Sequence, residues 1–214
     1  MDLTSYLSER SAMVDAELKR LLPRRNQAPK SIHEAMHYVV FAGGKRLRPV
    51  LCLAAAEACG GDLKNALPAA CAVELMHTYS LVHDDLPAMD NDDFRRGRAT
   101  CHKVYGEGMA VLCGDALLTE SFALLAAVPV TRRYSTRDYL NELATTGGSR
   151  QLIGGQVMDL ECEGKTTSKS QRVKIHEAKT AALLTCSLRL GAMTANASAT
   201  KLEALTHFGH KLGL

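Results

Sequence analysis

A short segment in the middle of the chain, HDDLPAMDNDDFRRGR from His83 to Arg98, has the composition of a site for a metal ion and phosphate. Carboxylates this close together raise one another's pKa unless a cation lies among them, and clustered hard oxygens are ligands for Mg²⁺ or Ca²⁺. Arginine forks are typical of oxyanion sites, above all phosphate. The charged residues are Asp84, Asp85, Asp90, Asp92, Asp93, Arg95, Arg96 and Arg98. The pattern therefore predicts a divalent cation beside a phosphate or pyrophosphate group.

Two simpler interpretations, a solvated loop and an EF-hand loop, fit this segment less well. A run of mixed charge is usually a solvated loop, but here the apolar run from Cys71 to Val82 leads directly into Asp84, which places the acids at the end of a buried element. An EF-hand loop is disfavoured because its fifth position would be Phe94, which has no ligand atom, and Arg95 stands where that loop needs glycine.

A second basic motif, GGKRLRP from Gly43 to Pro49, is the other candidate for an anion site. Two glycines end one helix, and Lys45, Arg46 and Arg48 precede a helix that proline can start, so cationic side chains and free amide N–H groups lie together. It is not a Walker loop, because no Ser or Thr follows Lys45. Taken alone, the motif is more typical of a solvated turn between helices than of an anion site.

Composition narrows the class of protein. With 214 residues, of which 46% are hydrophobic, the chain can form one domain over 1–214 with a substantial core. A net charge of +3 and few aromatic residues argue against nucleic-acid binding. Seven cysteines without a C-x-x-C pair indicate reduced thiols and a cytoplasmic protein. The N-terminus lacks the apolar core of a signal peptide, and we expect no membrane-spanning segment.

Hydrophobic periodicity predicts an all-α helical bundle, with no convincing strand pattern. Ser31 and Glu34 have the spacing of a capping box for the second helix. The fourth helix is apolar on most sides and is expected at the centre of the core. The predicted helices cover residues 7–22, 31–42, 49–58, 66–85, 109–128, 136–146, 149–162, 168–193 and 199 onward.

Helical geometry connects the acidic motif to a histidine. His77 and Asp84 are two turns apart on nearly the same face of the fourth helix, so both should face one cavity. Asp90 would point elsewhere on an unbroken helix, but Pro87 can bend the chain and bring it back. We therefore expect Asp84, Asp85 and Asp90 to converge.

Taken together, the motifs resemble those of the short-chain trans-isoprenyl diphosphate synthases, of the bacterial farnesyl and type II geranylgeranyl kind. The resemblance implies an isoprenoid-synthase-type all-α bundle around a central active-site cavity. It also implies a homodimer and a head-to-tail condensation, in which an allylic diphosphate ionises and isopentenyl diphosphate attacks the carbocation. The matching motifs, in order, are GGKRLRP at 43–49, ELMHTYSLVHDDLPAMDNDDFRRGR at 74–98, CHKVYGE at 101–107, GDALL at 114–118, GGQVMD at 154–159 and HEAKTAAL at 176–183.

The resemblance assigns a role to each matching residue. Asp84, Asp85 and Asp90 would hold Mg²⁺, or Mn²⁺ as its substitute, against the allylic diphosphate. Arg95 would bind the same diphosphate, and Lys179 would act with it in catalysis. The isopentenyl diphosphate pocket would comprise Lys45, Arg48, His77 and Arg96. The allylic leaving group would be flanked by Gln156, Lys179 and Thr180. Without the resemblance, Lys179 fits a surface lysine and Gln156 a contact between helices.

Tyr79 and Ser80 are the sequence-based candidates for control of product length. They lie five and four positions before Asp84, where a side chain points down the channel beneath the acids. A bulky ring at this depth should stop a growing chain early. We therefore expect the fifteen-carbon farnesyl diphosphate as product, with the twenty-carbon geranylgeranyl diphosphate as the alternative.

Synthases of this kind continue past a phrase like FGHKLGL with a second aspartate-rich motif, and here no aspartate follows Asp159. We therefore expect the C-terminal helices to be missing and the chain alone to be inactive or weakly active, with a loss of about a thousandfold. One alternative is a non-catalytic partner that regulates a full-length synthase. Another is a class I terpene cyclase, which the isopentenyl-pocket residues Lys45, Arg48 and His77 disfavour.

Overall fold

The computed structural model describes residues 2–214, which form eleven α-helices and one short β-hairpin and so confirm the all-α prediction. A π-helical segment, Glu177–Ala181, joins the ninth and tenth helices. The helices are α1 Leu3–Leu21, α2 Lys30–Val40, α3 Leu47–Ala58, α4 Leu63–Asp84, α5 Cys101–Tyr105, α6 Glu107–Ala126, α7 Thr136–Gly147, α8 Leu152–Cys162, α9 Lys169–His176, α10 Ala182–Thr194 and α11 Ala199–Gly213. The strands are β1 Phe94–Arg95 and β2 Arg98–Ala99.

Helix α4 lies at the centre of the bundle, as its lack of a polar face predicts. Its middle, from Ala69 to Met76, is buried on every side, and α1, α2, α3, α6 and α10 all pack against it. An apolar surface on all sides of a helix is stable only where neighbours cover every side. The central position fixes the end of α4, and with it the acidic motif, relative to the rest of the molecule.

Close approach of α10 to α3 depends on a residue without a side chain. A Cβ atom at Gly191 would lie only 1.9 Å from the backbone oxygen of Cys52, so a larger residue could not occupy this crossing. The seven cysteines, Cys52 among them, are all free, and five are buried. The pKa of the Cys52 thiol is raised to about 12 by burial, which makes it an inert core residue.

Helix α6 corrects one sequence-based expectation. By length and composition α6 could cross a membrane, and it is the only such helix in residues 2–214. The sequence pattern predicts no membrane-spanning segment. One side of α6 packs against α4, α2 and α5, and core residues such as Cys113 and Leu117 are fully buried there. Packing in the core therefore accounts for the apolar residues on that side of α6.

Other local predictions were wrong or incomplete. Helix α2 begins at Lys30 after an extended Pro29, so Ser31 lies inside the helix and the predicted capping box with Glu34 is absent. The hairpin was missed because strands of two residues, with Phe94 opposite Ala99, are too short to show alternation. The single helix predicted over 168–193 is divided by the π-helical segment.

Candidate active site

A cavity of about 740 Å³ opens beside the C-terminal half of α4. It is bounded by α4, α6, α8 and the π-helical segment, and its lining is mostly apolar, with a small set of polar side chains. A largely apolar cleft with a few polar groups is the usual form of a small-molecule site. Its polar residues are Arg48, His77, Tyr79, Ser80, His83, Asp84, Gln156, Lys179 and Thr180. The prediction that His77 and Asp84 face one cavity is thus confirmed.

Asp84 is the one aspartate that lines this cavity. Its carboxylate makes no ion pair within residues 2–214, whereas Asp85 and Asp159 each do. The pKa of Asp84 is raised to about 6, chiefly by burial and also by the nearby Asp90, against the opposing charges of Lys179 and Arg95. A half-buried carboxylate with this environment is a natural ligand for a cation.

The chain folds back after α4 and brings Asp90 next to Asp84. The backbone N–H of Asp90 donates to the carbonyl of Asp84 at 2.8 Å, across the turn that contains Pro87. Asp90 itself is exposed. The proline-induced reversal that the sequence suggested is therefore present, and it sets the two acids on the same end of α4.

Asp85 points away from this pair and into an ion pair with Arg95. The Nε atom of Arg95 donates to Oδ1 of Asp85 at 2.6 Å, and Arg95 also lies 3.4 Å from Asp92. Burial raises the pKa of Asp85, and the hydrogen bond from Arg95 partly offsets the shift. Residues 2–214 accordingly hold no ready cluster of three metal-ligating side chains. The expected convergence of all three aspartates is not seen, because Arg95 already neutralises Asp85.

The two basic motifs meet at a second hollow next to this cavity, through residues that lie 53 positions apart in the sequence. Arg96 donates from Nη1 to the carbonyl of Gly43. Its guanidinium lies against Gly44, where a Cβ atom would come within 2.3 Å of Nη1, so a residue with a side chain could not accept this contact. The exposed Lys45 borders the same hollow. This placement brings the acidic loop and the GGKRLRP turn into one site.

Arg48 and His77 link the hollow to the cavity, because both line each of them. Nη1 of Arg48 lies 3.2 Å from Nε2 of His77. Burial, and then Arg48 and Arg96, hold the pKa of His77 well below its usual value, so the imidazole is neutral and accepts the arginine N–H. Burial also lowers the pKa of Arg48, whose Nε has no partner in residues 2–214. A bound anion would offset the repulsion between Arg48 and Arg96.

Arg46 also borders the hollow, but its guanidinium is held by groups of the protein itself. It is buried and hydrogen-bonded to Asp15, Glu74 and the carbonyl of Val40. The sequence groups Arg46 with Lys45 and Arg48 as an anion donor, whereas in the structure the Arg46 guanidinium is already paired with protein groups. The clue in the sequence was Glu74, an acidic residue on an otherwise apolar helix, which requires a buried cationic partner.

Tyr79 and Ser80, the predicted length-controlling residues, both line the cavity. Tyr79 is only 5% exposed and packs edge to face against His83, with ring centroids 5.8 Å apart. His83 is a cavity residue that the sequence did not indicate; its Nε2 donates to the Val111 carbonyl at 3.0 Å. The His83 ring fits here because residue 114 is a glycine. A Cβ atom at that position would lie 2.0 Å from Nε2 of His83.

The opposite wall supplies the three residues that were predicted only through the resemblance. Lys179 and Thr180 come from the π-helical segment, a form of helix that often marks functional sites. Nζ of Lys179 pairs with Asp159 at 2.7 Å. Oε1 of Gln156 is buried and has no hydrogen-bond partner in the described chain, so it is open to a ligand.

Comparison with known proteins identifies the family of the chain. The sequence profile of the polyprenyl synthetase family matches residues 29–214. The chain is 46% identical to the heterodimeric geranylgeranyl pyrophosphate synthase large subunit 1, chloroplastic, of Arabidopsis thaliana, with 100% of this chain and 58% of the relative covered. It is 43% identical to the farnesyl diphosphate synthase of Bacillus subtilis, over 99% of this chain and 72% of the relative.

A solved structure of an FPP/GFPP synthase from Zymomonas mobilis superimposes with a TM-score of 0.89 at 32% identity, covering 99% of this chain and 77% of that one. The geranylgeranyl pyrophosphate synthetase from the archaeon Geoglobus acetivorans gives the same TM-score over 97% of this chain and 66% of that one. This chain thus spans between about three fifths and three quarters of these relatives. Sequence profile, relatives and fold together show that the chain belongs to the polyprenyl synthetase family.

Proposed function

We propose that this chain carries a Mg²⁺-dependent trans-prenyltransferase site. The site would condense isopentenyl diphosphate with an allylic diphosphate, either dimethylallyl or geranyl diphosphate, and we expect at most weak turnover from this chain by itself. The observation that carries the proposal is the arrangement around His77: the cationic hollow lies on one side, and the apolar cavity with the unpaired Asp84 lies on the other. Two diphosphates with one hydrocarbon tail between them match this arrangement in charge and polarity.

The donor set fits Mg²⁺, because it consists of hard carboxylate oxygens at one end of α4. Asp84, Asp85 and Asp90 would hold the ion, and Asp85 would exchange its partner Arg95 for it. When bound, Mg²⁺ offsets the negative charge that builds up on the departing pyrophosphate. The raised pKa of Asp84 supports this assignment, since a cation would favour its charged form.

The remaining polar residues divide between the two substrates. Lys179, Gln156, Thr180 and Arg95 would contact the allylic diphosphate, and cations already in place there stabilise the leaving group more than the intact ester. Lys45, Arg48, His77 and Arg96 would bind isopentenyl diphosphate in the hollow. The apolar lining, which includes Leu118, Leu152 and Val157, keeps water away from the carbocation.

We propose farnesyl diphosphate as the product, with geranylgeranyl diphosphate as the alternative. Tyr79 is the largest side chain on the cavity wall formed by α4, and it lies one turn before Asp84. A growing prenyl chain would meet this ring soon after it leaves the acids. Relatives named for both products match the chain equally well, so product length rests on Tyr79 and its neighbours.

The chain is proposed to form a single domain, 1–214, and to assemble as a homodimer through α6. Leu112 on α6 is 57% exposed and does not line the cavity. A large apolar side chain that a core helix exposes to solvent is a candidate interface residue. A cytoplasmic location remains a prediction from the cysteine pattern.

Radiolabelled isopentenyl diphosphate tests the proposed reaction. The protein is incubated with Mg²⁺, geranyl diphosphate and the labelled substrate, and label in longer allylic products is measured alongside direct binding of isopentenyl diphosphate. Asp84→Asn should lower incorporation by about a hundredfold or more, because it removes a metal ligand. Asp93→Asn is the matched control: Asp93 lies in the same loop, but its side chain is exposed and pairs with Lys103 at 2.7 Å.

Two outcomes would contradict the proposal. A terpene cyclase would consume geranyl diphosphate without taking up any label. A chain that neither incorporates nor binds isopentenyl diphosphate would exclude both the synthase site and a regulatory partner that retains this pocket.

A further inference from the structure

We infer that Arg46 is a positioning residue for the isopentenyl diphosphate pocket and is not itself a ligand for that diphosphate. The inference rests on the proposed function, because it names what sets the geometry of one of its two sites. Arg46 lies between Lys45 and Arg48 in the GGKRLRP turn and borders the same hollow, but it is the only one of the three that is ion-paired within residues 2–214.

Every nitrogen of the Arg46 guanidinium already has a partner. Nε donates to Asp15 at 2.9 Å, Nη1 to Glu74 at 2.7 Å and Nη2 to the carbonyl of Val40 at 2.6 Å. The side chain is 3% exposed, as is that of Glu74. Three of the five guanidinium N–H groups are thus engaged, and the buried group could move towards a diphosphate in the hollow only by breaking these three contacts.

These contacts join three helices to the start of α3. Asp15 belongs to α1, Val40 to α2 and Glu74 to α4, while Arg46 is the residue that precedes α3. Arg46 also has a left-handed backbone, with φ 48°, which is costly for a residue with a side chain. The side-chain contacts therefore stabilise a backbone geometry that would not otherwise persist. That geometry directs Lys45 outwards and starts α3 so that Arg48 reaches His77.

Charge balance provides a second reason why the pocket depends on Arg46. Glu74 precedes His77 by one turn of α4 and borders the same hollow as Arg48 and Arg96. With Arg46 present, the Glu74 carboxylate accepts a hydrogen bond from Arg46. Without Arg46, the buried Glu74 would have to find another cation, and Arg48 is next to it. The carboxylate would then compete with the diphosphate for Arg48.

Isothermal titration with isopentenyl diphosphate, and separately with geranyl diphosphate and Mg²⁺, tests the inference on the full chain. In Arg46→Met we expect the affinity for isopentenyl diphosphate to fall by about tenfold or more, since small displacements of binding groups are costly. The affinity for geranyl diphosphate should stay within about threefold, because its contacts lie on α4, α8 and the π-helical segment.

Arg189→Met is the matched control. Arg189 also ties helices together, with two hydrogen bonds to Glu142 on α7 and one to Thr206 on α11, and it lines neither the cavity nor the hollow. We expect this variant to lose thermal stability while both affinities are retained. A purely structural Arg46 would behave in the same way.

Asp15→Ala is a milder variant for use if Arg46→Met does not fold. Asp15 has a side chain that is 42% exposed, so its loss should not unfold the protein, and we expect a two- to fivefold lower affinity for isopentenyl diphosphate alone. Unchanged isopentenyl diphosphate binding in every folded variant would overturn the inference, as would equal loss of both ligands. If the unaltered chain binds no isopentenyl diphosphate, the proposed function fails and the inference fails with it.

Discussion

Asp84 is the residue at which function and stability make opposite demands. It is a half-buried carboxylate with no ion pair in the described chain, next to a second acid, Asp90. The folded protein therefore holds a charge that it would be more stable without. Such a group is retained where a ligand supplies the missing countercharge, as the proposed Mg²⁺ site would.

This conflict predicts how stability depends on pH in the absence of metal. The pKa of Asp84 is raised from 3.8 to about 6, so the folded state binds the proton more tightly than the unfolded state. The stability that this carboxyl contributes is fully present below about pH 3.8 and is lost as the pH rises through about 6. In EDTA at pH 7.5, Asp84→Asn should therefore raise the free energy of unfolding by about 1 kcal/mol, a value reduced for remaining solvent contact.

Urea denaturation at two pH values checks this expectation. The advantage of Asp84→Asn should fall by about half or more at pH 4.5, where the native carboxyl is mostly protonated. Adding Mg²⁺ at pH 7.5 should stabilise the unaltered protein and leave the variant unchanged. A variant that is less stable than the unaltered protein in EDTA would show that the Asp84 carboxylate is satisfied by the fold itself.

Tyr79 is the residue on which the proposed product length depends. Tyr79→Ala removes the ring from the cavity wall beneath Asp84, so the products should shift from fifteen carbons to twenty or more. Chromatography of the dephosphorylated products measures the shift. Ser80→Ala is the control, because it also changes a cavity residue but removes only a hydroxyl that donates to the His77 carbonyl. Equal product lengths in all three proteins would remove Tyr79 from this role.

At this scale, residue type and spacing predicted the site in part. His77, Asp84 and Lys179 all line the cavity, as the motifs implied. The different roles of Arg46 and Arg48 could not be predicted from the sequence. The two arginines are only two positions apart, and their partners depend on the backbone conformation of the turn. The ion pair between Asp85 and Arg95 could not be predicted from the sequence either, since it depends on the turn between these residues, which are ten positions apart.

The contact between α4 and α6 is the element-scale feature that holds the site. His83, the residue before Asp84, fills the space that Gly114 leaves on α6 and donates to the Val111 carbonyl. The orientation of the last turn of α4 therefore depends on a small residue in a different helix. A substitution at Gly114 should therefore displace His83 and alter the position of Asp84, although residue 114 does not itself line the cavity.

Gly114→Ala tests this contact. The added Cβ would lie 2.0 Å from Nε2 of His83, so the ring must move, and we expect a loss of about 1–3 kcal/mol in the free energy of unfolding together with weaker Mg²⁺-dependent binding of geranyl diphosphate. Gly108→Ala is the control on the same helix. Nothing lies within 4 Å of its new Cβ, so it should be neutral or stabilise the protein by up to about 1 kcal/mol. Equal effects of the two substitutions would contradict the close contact.

Long helices were predictable from the sequence and short elements were not. Periodicity and the flanking Gly and Pro residues located α3, α4 and α7 to within a few residues, because their signals extend over several turns. The hairpin at Phe94–Arg95 and the five-residue α5 carry no such repeat and are held by neighbouring elements. The π-helical segment has no sequence signature, although it supplies Lys179 and Thr180.

For the whole molecule, the helical bundle explains why residues far apart in sequence form one site. The turn that holds Lys45, the end of α4 and the π-helical segment are separated by tens of residues, and the packing around α4 brings them to the same end of it. The same packing leaves one long helix, α6, covered on a single side. The assembly state is therefore a property of the bundle and not of any motif.

Analytical ultracentrifugation tests whether a second copy covers α6. A twofold interface places the same face of α6 against itself, so one substitution acts on both subunits. We expect the unaltered protein to sediment at twice the mass of the chain and Leu112→Glu to sediment as a monomer, because charges buried without a partner oppose association. Val130→Glu is the control, since Val130 is 63% exposed but lies in the connection after α6. Leu112, at 57% exposure, is the most exposed large apolar residue of α6 and therefore the best single probe of this face. Dimers that persist in Leu112→Glu would place the interface elsewhere. Monomers in the unaltered protein would exclude a homodimer.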